Sequence, residues 1–175
     1  MLKKLLLGLV AVVLLLLVVS LFLPSAYFVE RSIVVQAEPA QVFPYLNNLQ
    51  EWNKWTPWTQ EKYPEMKRTY SGPAEGVGAK SAWTGPDSGT GSLEIKQSDP
   101  ATGIVYELAF EGFSTSEGRL AMAKADGGLK VTMSTKGDLG SNPINKFFGL
   151  MIDSMMGAEF EGGLAKLKQL VEAKR

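Results

Sequence analysis

The 175-residue chain contains no histidine and no cysteine. That inventory removes Ser-His-Asp and Cys-His nucleophiles, imidazole general bases, disulfides, thiolate sites and the ordinary zinc and non-haem iron centres. Acid and base chemistry is left to Asp, Glu, Lys, Arg and Tyr, and neither a metal nor a cofactor is expected. Glu94, Glu107, Glu111, Arg119 and Asp138 fall in or near short β-type segments. Alternation, however, sets Glu94 and Glu107 opposite Leu93, Ile95, Tyr106 and Leu108, which is the pattern of a solvated outer sheet face. A single buried carboxylate among Glu111, Glu117 and Asp138 stays open, with Tyr45, Tyr70 and Tyr106 as the tyrosyl acid candidates.

Two glycine-rich stretches raise the question of phosphate binding, because backbone N–H groups in such loops can cradle anions. Gly76-Val77-Gly78 leads into a strand rather than a helix, and Gly85 to Gly91 lacks a Gly-Lys-Ser/Thr ending, so both read as turns. Trp52, Trp55 and Trp58 recur every three residues, a spacing that brings large rings together on a helix or tight turn. They can form a core plug, gate a ligand, or rest on a membrane surface, where tryptophan is favoured. Met151, Met155 and Met156 likewise suit either an irregular core or an adaptable apolar binding surface.

The elements that must position these residues are legible from periodicity. Tyr27 to Gln36 reads as a first strand. Pro39 is placed as the first residue of a short helix carrying Val42, Leu46 and Leu49 on one face, and Pro44 limits or kinks it. After Trp58 the period changes to two. The runs Met66–Tyr70, Ala79–Thr84, Ser92–Ser98, Ile104–Phe110, Arg119–Lys124 and Leu129–Lys136, separated by glycine-rich turns, predict a six-strand antiparallel meander. Ile144 to Ala173 then predicts one long helix. Up to Phe160 it is apolar on nearly every side, and beyond that Leu164, Leu167 and Val171 form a single stripe, so its first half must be covered on more than one side. Within that half, Phe147, Met151, Met155 and Ala158 share one face, and Ile152, Met156, Phe160 and Leu164 another.

The N-terminus has its own signature. From Leu5 to Leu23 every residue except Gly8 and Ser20 is apolar and none is charged. Nineteen residues at about 1.5 Å each reach about 28 Å, close to the ~30 Å hydrocarbon layer. The run exceeds the h-region of a secretory signal, and Leu23-Pro24-Ser25-Ala26 is a poor cleavage site, so residues 1–26 are expected to remain as a transmembrane anchor ahead of a domain at 27–175. Lys3 and Lys4 precede the span, while Glu30 and Arg31 cancel after it. The N-terminus is therefore expected inside, with the domain on the extracytoplasmic side of the cytoplasmic membrane. All 18 acidic residues follow the span and two of the 18 basic ones precede it, leaving the domain near −2. That is no footprint for nucleic acid.

The order of strand, short helices, six-strand meander and long helix resembles the helix-grip fold of the START-related SRPBCC superfamily, in its polyketide cyclase/dehydrase-like branch. The residues that carry the resemblance are Arg31-Ser32-Ile33 leading to Glu38-Pro39-Ala40-Gln41-Val42-Phe43, the run Trp52-Asn53-Lys54-Trp55-Thr56-Pro57-Trp58, Gly76-Val77-Gly78 with Trp83 after it, and Phe160-Glu161-Gly162-Gly163-Leu164-Ala165-Lys166-Leu167. It spans about Phe28 to Leu170, and Pro44 departs from the residue types usual at its place. The resemblance implies an α+β fold, a seven-stranded antiparallel sheet curved around the terminal helix, and a deep apolar cavity. Trp52, Trp55, Trp58, Tyr70, Trp83, Phe110, Phe147, Met151 and Met155 are its expected lining. The expected partner is a lipid-like or other hydrophobic small molecule, bound without catalysis. A cyclase or dehydratase using Tyr45, Tyr70 or Tyr106, and a protein-interaction module of the envelope, are the alternatives. A reporter active only outside the cytoplasm, fused after Arg175, is expected to be active in membranes. A soluble product beginning near Tyr27 would show instead that the segment is cleaved.

Overall fold

Strand-forming runs broken by glycine turns, ahead of one long proline-free stretch, lead to a sheet with a helix laid against it. The computed structural model describes residues 2–173. Helix α1 spans Leu2–Phe22, β1 Ala26–Val35 and α2 Pro39–Asn47, followed by a 3-10 turn at Glu51–Lys54. Then come β2 Lys67–Ser71, β3 Lys80–Gly85, β4 Gly89–Asp99, β5 Gly103–Phe110, β6 Ser116–Ala125, β7 Gly128–Asp138 and α3 Pro143–Glu172. Every expected element is present, with ends displaced by a few residues. The seven strands form one antiparallel sheet in the order β1-β7-β6-β5-β4-β3-β2, so the meander returns its last strand to the first. The architecture is α+β and helix-grip-like. Pro44 does not end α2, which runs on to Asn47.

The register sorts the two sheet faces into rows. On the outer face Lys80, Glu94, Glu107, Glu117 and Lys136 lie side by side across five strands. Lys80 and Lys96 both reach Glu94, at 2.9 and 3.0 Å, and Lys136 reaches Glu117 at 2.8 Å. Glu94 is thereby held below the usual carboxylate range by hydrogen bonds from the two lysines. Glu111, Glu117 and Asp138 are all exposed, so none of them is a buried acid. On the inner face one row runs Ile95, Tyr106, Gly118, Thr135, Val29 and the next Ile104, Leu120, Met133, Arg31.

Arg31, at the end of that last row, fixes α3. Its Nε donates to Glu161 at 2.7 Å and its Nη1 and Nη2 to the Asp153 carboxylate at 3.0 Å each. These hydrogen bonds lower the Asp153 pKa and raise that of Arg31. Farther along, Lys168 Nζ donates to the Val34 carbonyl at 2.9 Å, and the Gln36 amide donates to Glu172 at 2.7 Å. α3 thus runs beside β1 and occupies polar groups of an edge strand that would otherwise invite pairing with another chain. Ile152, Phe160, Leu164, Leu167 and Val171 are its large buried residues, with Gly157 and Gly163 buried between them.

Gly157 lies where the Arg31 guanidinium crosses the helix, and a Cβ there would collide with Arg31 Nη2 and Cζ. Gly to Ala in a helix ordinarily stabilises by about 1 kcal/mol. Here Gly157→Ala is expected to lower Tm by about 2–4 °C in a thermal melt. A rise would show that the arginine clamp moves aside freely.

Candidate ligand cavity

The segment after α2 acts as a plug because α2 ends inside the structure, and its last carbonyls need donors. Each receives one. The Pro44 carbonyl accepts from the Asn48 amide, Tyr45 from Trp55 Nε1 at 3.0 Å, Leu46 from Trp52 Nε1 at 2.9 Å, and Asn47 from the Gly76 amide. Two indoles are therefore fixed by the backbone they cap. Their rings lie 5.6 Å apart, and Trp52 meets Tyr106 edge-on at 5.3 Å.

The plug covers only part of the inner sheet face. Between it, β2 to β7 and α3 lies a cavity of about 220 Å³. Its floor is built from cross-strand rows: Arg68, Trp83, Gly91, Phe110, then Ser81, Leu93, Leu108, then Tyr106 beside Gly118 and Thr135. Trp83 packs edge-to-face on Phe110 at 5.4 Å and lies over Gly91, where a Cβ would strike the indole. Tyr106 lies in the same manner on Gly118. Trp52, Thr56, Trp58 and Met66 close the plug side, and Met156 and Phe160 of α3 form the far wall. Trp58, Arg68, Trp83, Ser88, Leu108, Phe110 and Met156 are only half-buried and mark the open side.

Of the expected lining, Trp52, Trp58, Trp83 and Phe110 are in the wall. The other five lie outside it. Trp55 is fully buried under α2, committed to the Tyr45 carbonyl. Tyr70 is on the inner face but on the edge strand, exposed at the rim, where its hydroxyl accepts from Asn53 Nδ2 at 2.7 Å. Phe147 lies on α3 before the helix reaches the cavity, and Met151 and Met155 are 53 % and 50 % exposed. The reason is rotational: the clamp at Arg31 turns the Ile152, Met156, Phe160, Leu164 stripe inward, and the other stripe faces away. With Trp52 and Trp55 buried, these two indoles are also not a membrane-resting surface.

Arg68, Ser81, Met133 and Thr135 line the cavity without having been expected there, and Met156, weighed as core or binding surface, and Phe160, on the second stripe of the helix, join them. Alternation puts Ser81, two residues before Trp83, on the same face of the strand. Tyr106, weighed only as an acid, is 3 % exposed, and burial pushes its pKa well above the tyrosine range. It stays protonated, as a donor rather than a base. Among the lining residues there is no carboxylate, and among the described residues no cluster of potential metal ligands.

With this geometry in place, comparison with known proteins gives the family. The sequence profile described as polyketide cyclase / dehydrase and lipid transport matches residues 28–172, and the chain belongs to that family. No curated protein matches it in sequence. Among solved structures it is similar to SA2116 of Staphylococcus aureus, a protein of unknown function, with 10% identity, TM-score 0.62 and coverage of 86% of this chain and 96% of that one. It is also similar to the di-domain ARO/CYC StfQ from the steffimycin biosynthetic pathway, with 15% identity, TM-score 0.62 and coverage of 85% of this chain and 52% of that one. A third is CV1439 from Chromobacterium violaceum, with 16% identity, TM-score 0.55 and coverage of 83% and 98%. At such identities the likeness is one of fold.

The buried Tyr106 makes stability depend on high pH. The unfolded chain releases the tyrosyl proton near pH 10, whereas the folded one retains it, so the contribution is whole below about pH 10 and falls as pH rises further. Tyr106→Phe is expected to remove that part of the alkaline loss. Equilibrium unfolding of both proteins between pH 8 and pH 11 checks it, and equal slopes would show the hydroxyl to be solvated.

Proposed function

We propose that the protein is a membrane-anchored binding module that holds a lipid-like or other hydrophobic small molecule between its sheet and α3. The observation that carries this reading is the cavity of about 220 Å³, walled by Trp52, Trp58, Trp83, Leu93, Phe110 and Phe160. An engineered apolar cavity of about 150 Å³ takes benzene, so this space suits a small ring system or a short chain. A filled interior would instead have favoured the protein-interaction reading.

Two features support the anchor. α1 is long and apolar enough to cross a membrane, and its side chains are exposed almost throughout. The exposed α3 residues Ile144, Phe148, Met151 and Met155 form a stripe at helical spacing, and the same end of α3 is joined to the end of α1 by Lys146 Nζ, which donates to the Ser20 carbonyl at 3.2 Å. Leu139 and Asp138 bind Ser25 through its carbonyl and hydroxyl, so the short connection is tied to the sheet. Lipid against α3 gives the helix the second cover that its sequence demands. The Lys3 and Lys4 asymmetry supports an N-terminus inside and residues 27–175 outside the cytoplasmic membrane.

A cyclase or dehydratase reading has one observation in its favour, the protonated Tyr106 in the wall. It lacks a base, since no carboxylate accompanies the tyrosine among the lining residues. The binding reading is tested by native mass spectrometry of the detergent-extracted full chain. Wild type and Met151→Trp are expected to carry a bound apolar molecule, and Met156→Trp, which fills the cavity, to lose it with Tm unchanged or raised. Equal occupancy in all three would place the molecule elsewhere.

A further inference from the structure

The cavity has one charged wall residue, Arg68, and its charge is not neutralised. Nη1 donates to Asn53 Oδ1 at 3.2 Å and Nη2 to the Trp58 carbonyl at 2.8 Å, with Met66 Sδ at 3.7 Å. The guanidinium carbon lies 5.9 Å from the Trp83 ring centroid. All these partners are formally neutral, and among the described residues no carboxylate lies within ion-pair distance of Arg68. Nε is covered and has no acceptor. Ser81 is in the same position: it lines the cavity, is 6 % exposed, and its Oγ has no hydrogen-bond partner. Buried donors left unpaired are expensive, a charged one most of all.

The register puts the two orphans on one side of the site. Arg68 is opposite Trp83, and Ser81 lies two residues before Trp83 on the same strand, so both side chains project from the inner face. Arg68 belongs to the half-buried open side and Ser81 to the buried wall. The buried end of the cavity, at Met133 and Phe160, offers no charge. An occupant therefore meets a cation and a free hydroxyl at one end and hydrocarbon at the other.

We propose that the cavity is built for an anionic amphiphile, a compact apolar body ending in a carboxylate-type group that accepts hydrogen bonds from Arg68 and Ser81. This rests on the binding reading above and adds the chemistry of the ligand. Arg68 supplies the counter-charge, Asn53 and the Trp58 carbonyl hold the guanidinium in place, and the apolar end lies toward Met133 and Phe160. A neutral hydrocarbon of the same size would fill the space and leave both donors unpaired.

Octanoate and octan-1-ol, which share a chain and differ in the head group, separate the possibilities. They are titrated calorimetrically into the full chain in phosphatidylcholine nanodiscs, with empty discs subtracted. Wild type is expected to bind octanoate about tenfold or more tighter than octan-1-ol, the range of a hydrogen bond to a charged group. Arg68→Gln is expected to abolish that preference while retaining octan-1-ol, Arg68→Lys to restore part of it, and Ser81→Ala to weaken octanoate more than octan-1-ol. Equal binding of both probes by wild type overturns the proposal and leaves the apolar cavity standing. Binding of neither overturns the cavity reading as well. Because the wild-type comparison decides by itself, a poorly folded Arg68 variant does not protect the proposal.

Discussion

Seven strands spaced about 4.8 Å apart make a sheet about 29 Å wide, and a helix with its side chains is only about 10–12 Å across. One helix cannot cover that face. Where it lies therefore decides what is left open, and Arg31 decides where it lies. Paired with Asp153 and Glu161 across the back of Gly157, the guanidinium fixes both the position of α3 along β1 and its rotation about its own axis. Met156 and Phe160 then face the sheet, and Met151 and Met155 turn outward.

The rest of the uncovered face is divided between a plug and a cavity. The plug is rigid because the hydrogen bonds that position Trp52 and Trp55 are the ones that terminate α2. Losing an indole would free a helix carbonyl as well as a volume. Beyond Trp52 the wall includes rings packed closely against glycines, Trp83 on Gly91 and Tyr106 on Gly118. Large side chains thus line the space without filling it.

Charge is distributed in the same divided manner. The outer face carries a row of lysines and glutamates that satisfy one another in water, where such pairs contribute little to stability but keep the sheet soluble. The cavity wall carries one cation, Arg68, with neutral company and no acid among the lining residues. Family membership and fold say that the scaffold can hold a hydrophobic molecule.

Local pattern determined much. Alternation of period two yields the strands and puts Glu94 and Glu107 on the outer face. Proline at the start of both α2 and α3, and the change from all-round to one-sided apolarity along α3, are equally local. The missing histidine and cysteine exclude whole classes of chemistry by count alone. Parity fixes side-chain direction in a strand, but Trp83 and Phe110 are expected in the cavity through the family resemblance. Helical rotation and long-range register are not local. Two apolar stripes on α3 are equivalent in sequence, and long-range contacts, chiefly those of Arg31 with Asp153 and Glu161, select which one faces inward. Trp55 and Tyr70 look like cavity residues until an α2 carbonyl claims the first and an edge-strand position leaves the second at the rim. The isolation of Arg68 and Ser81 is likewise tertiary, because a missing partner is a property of everything that packs around a side chain.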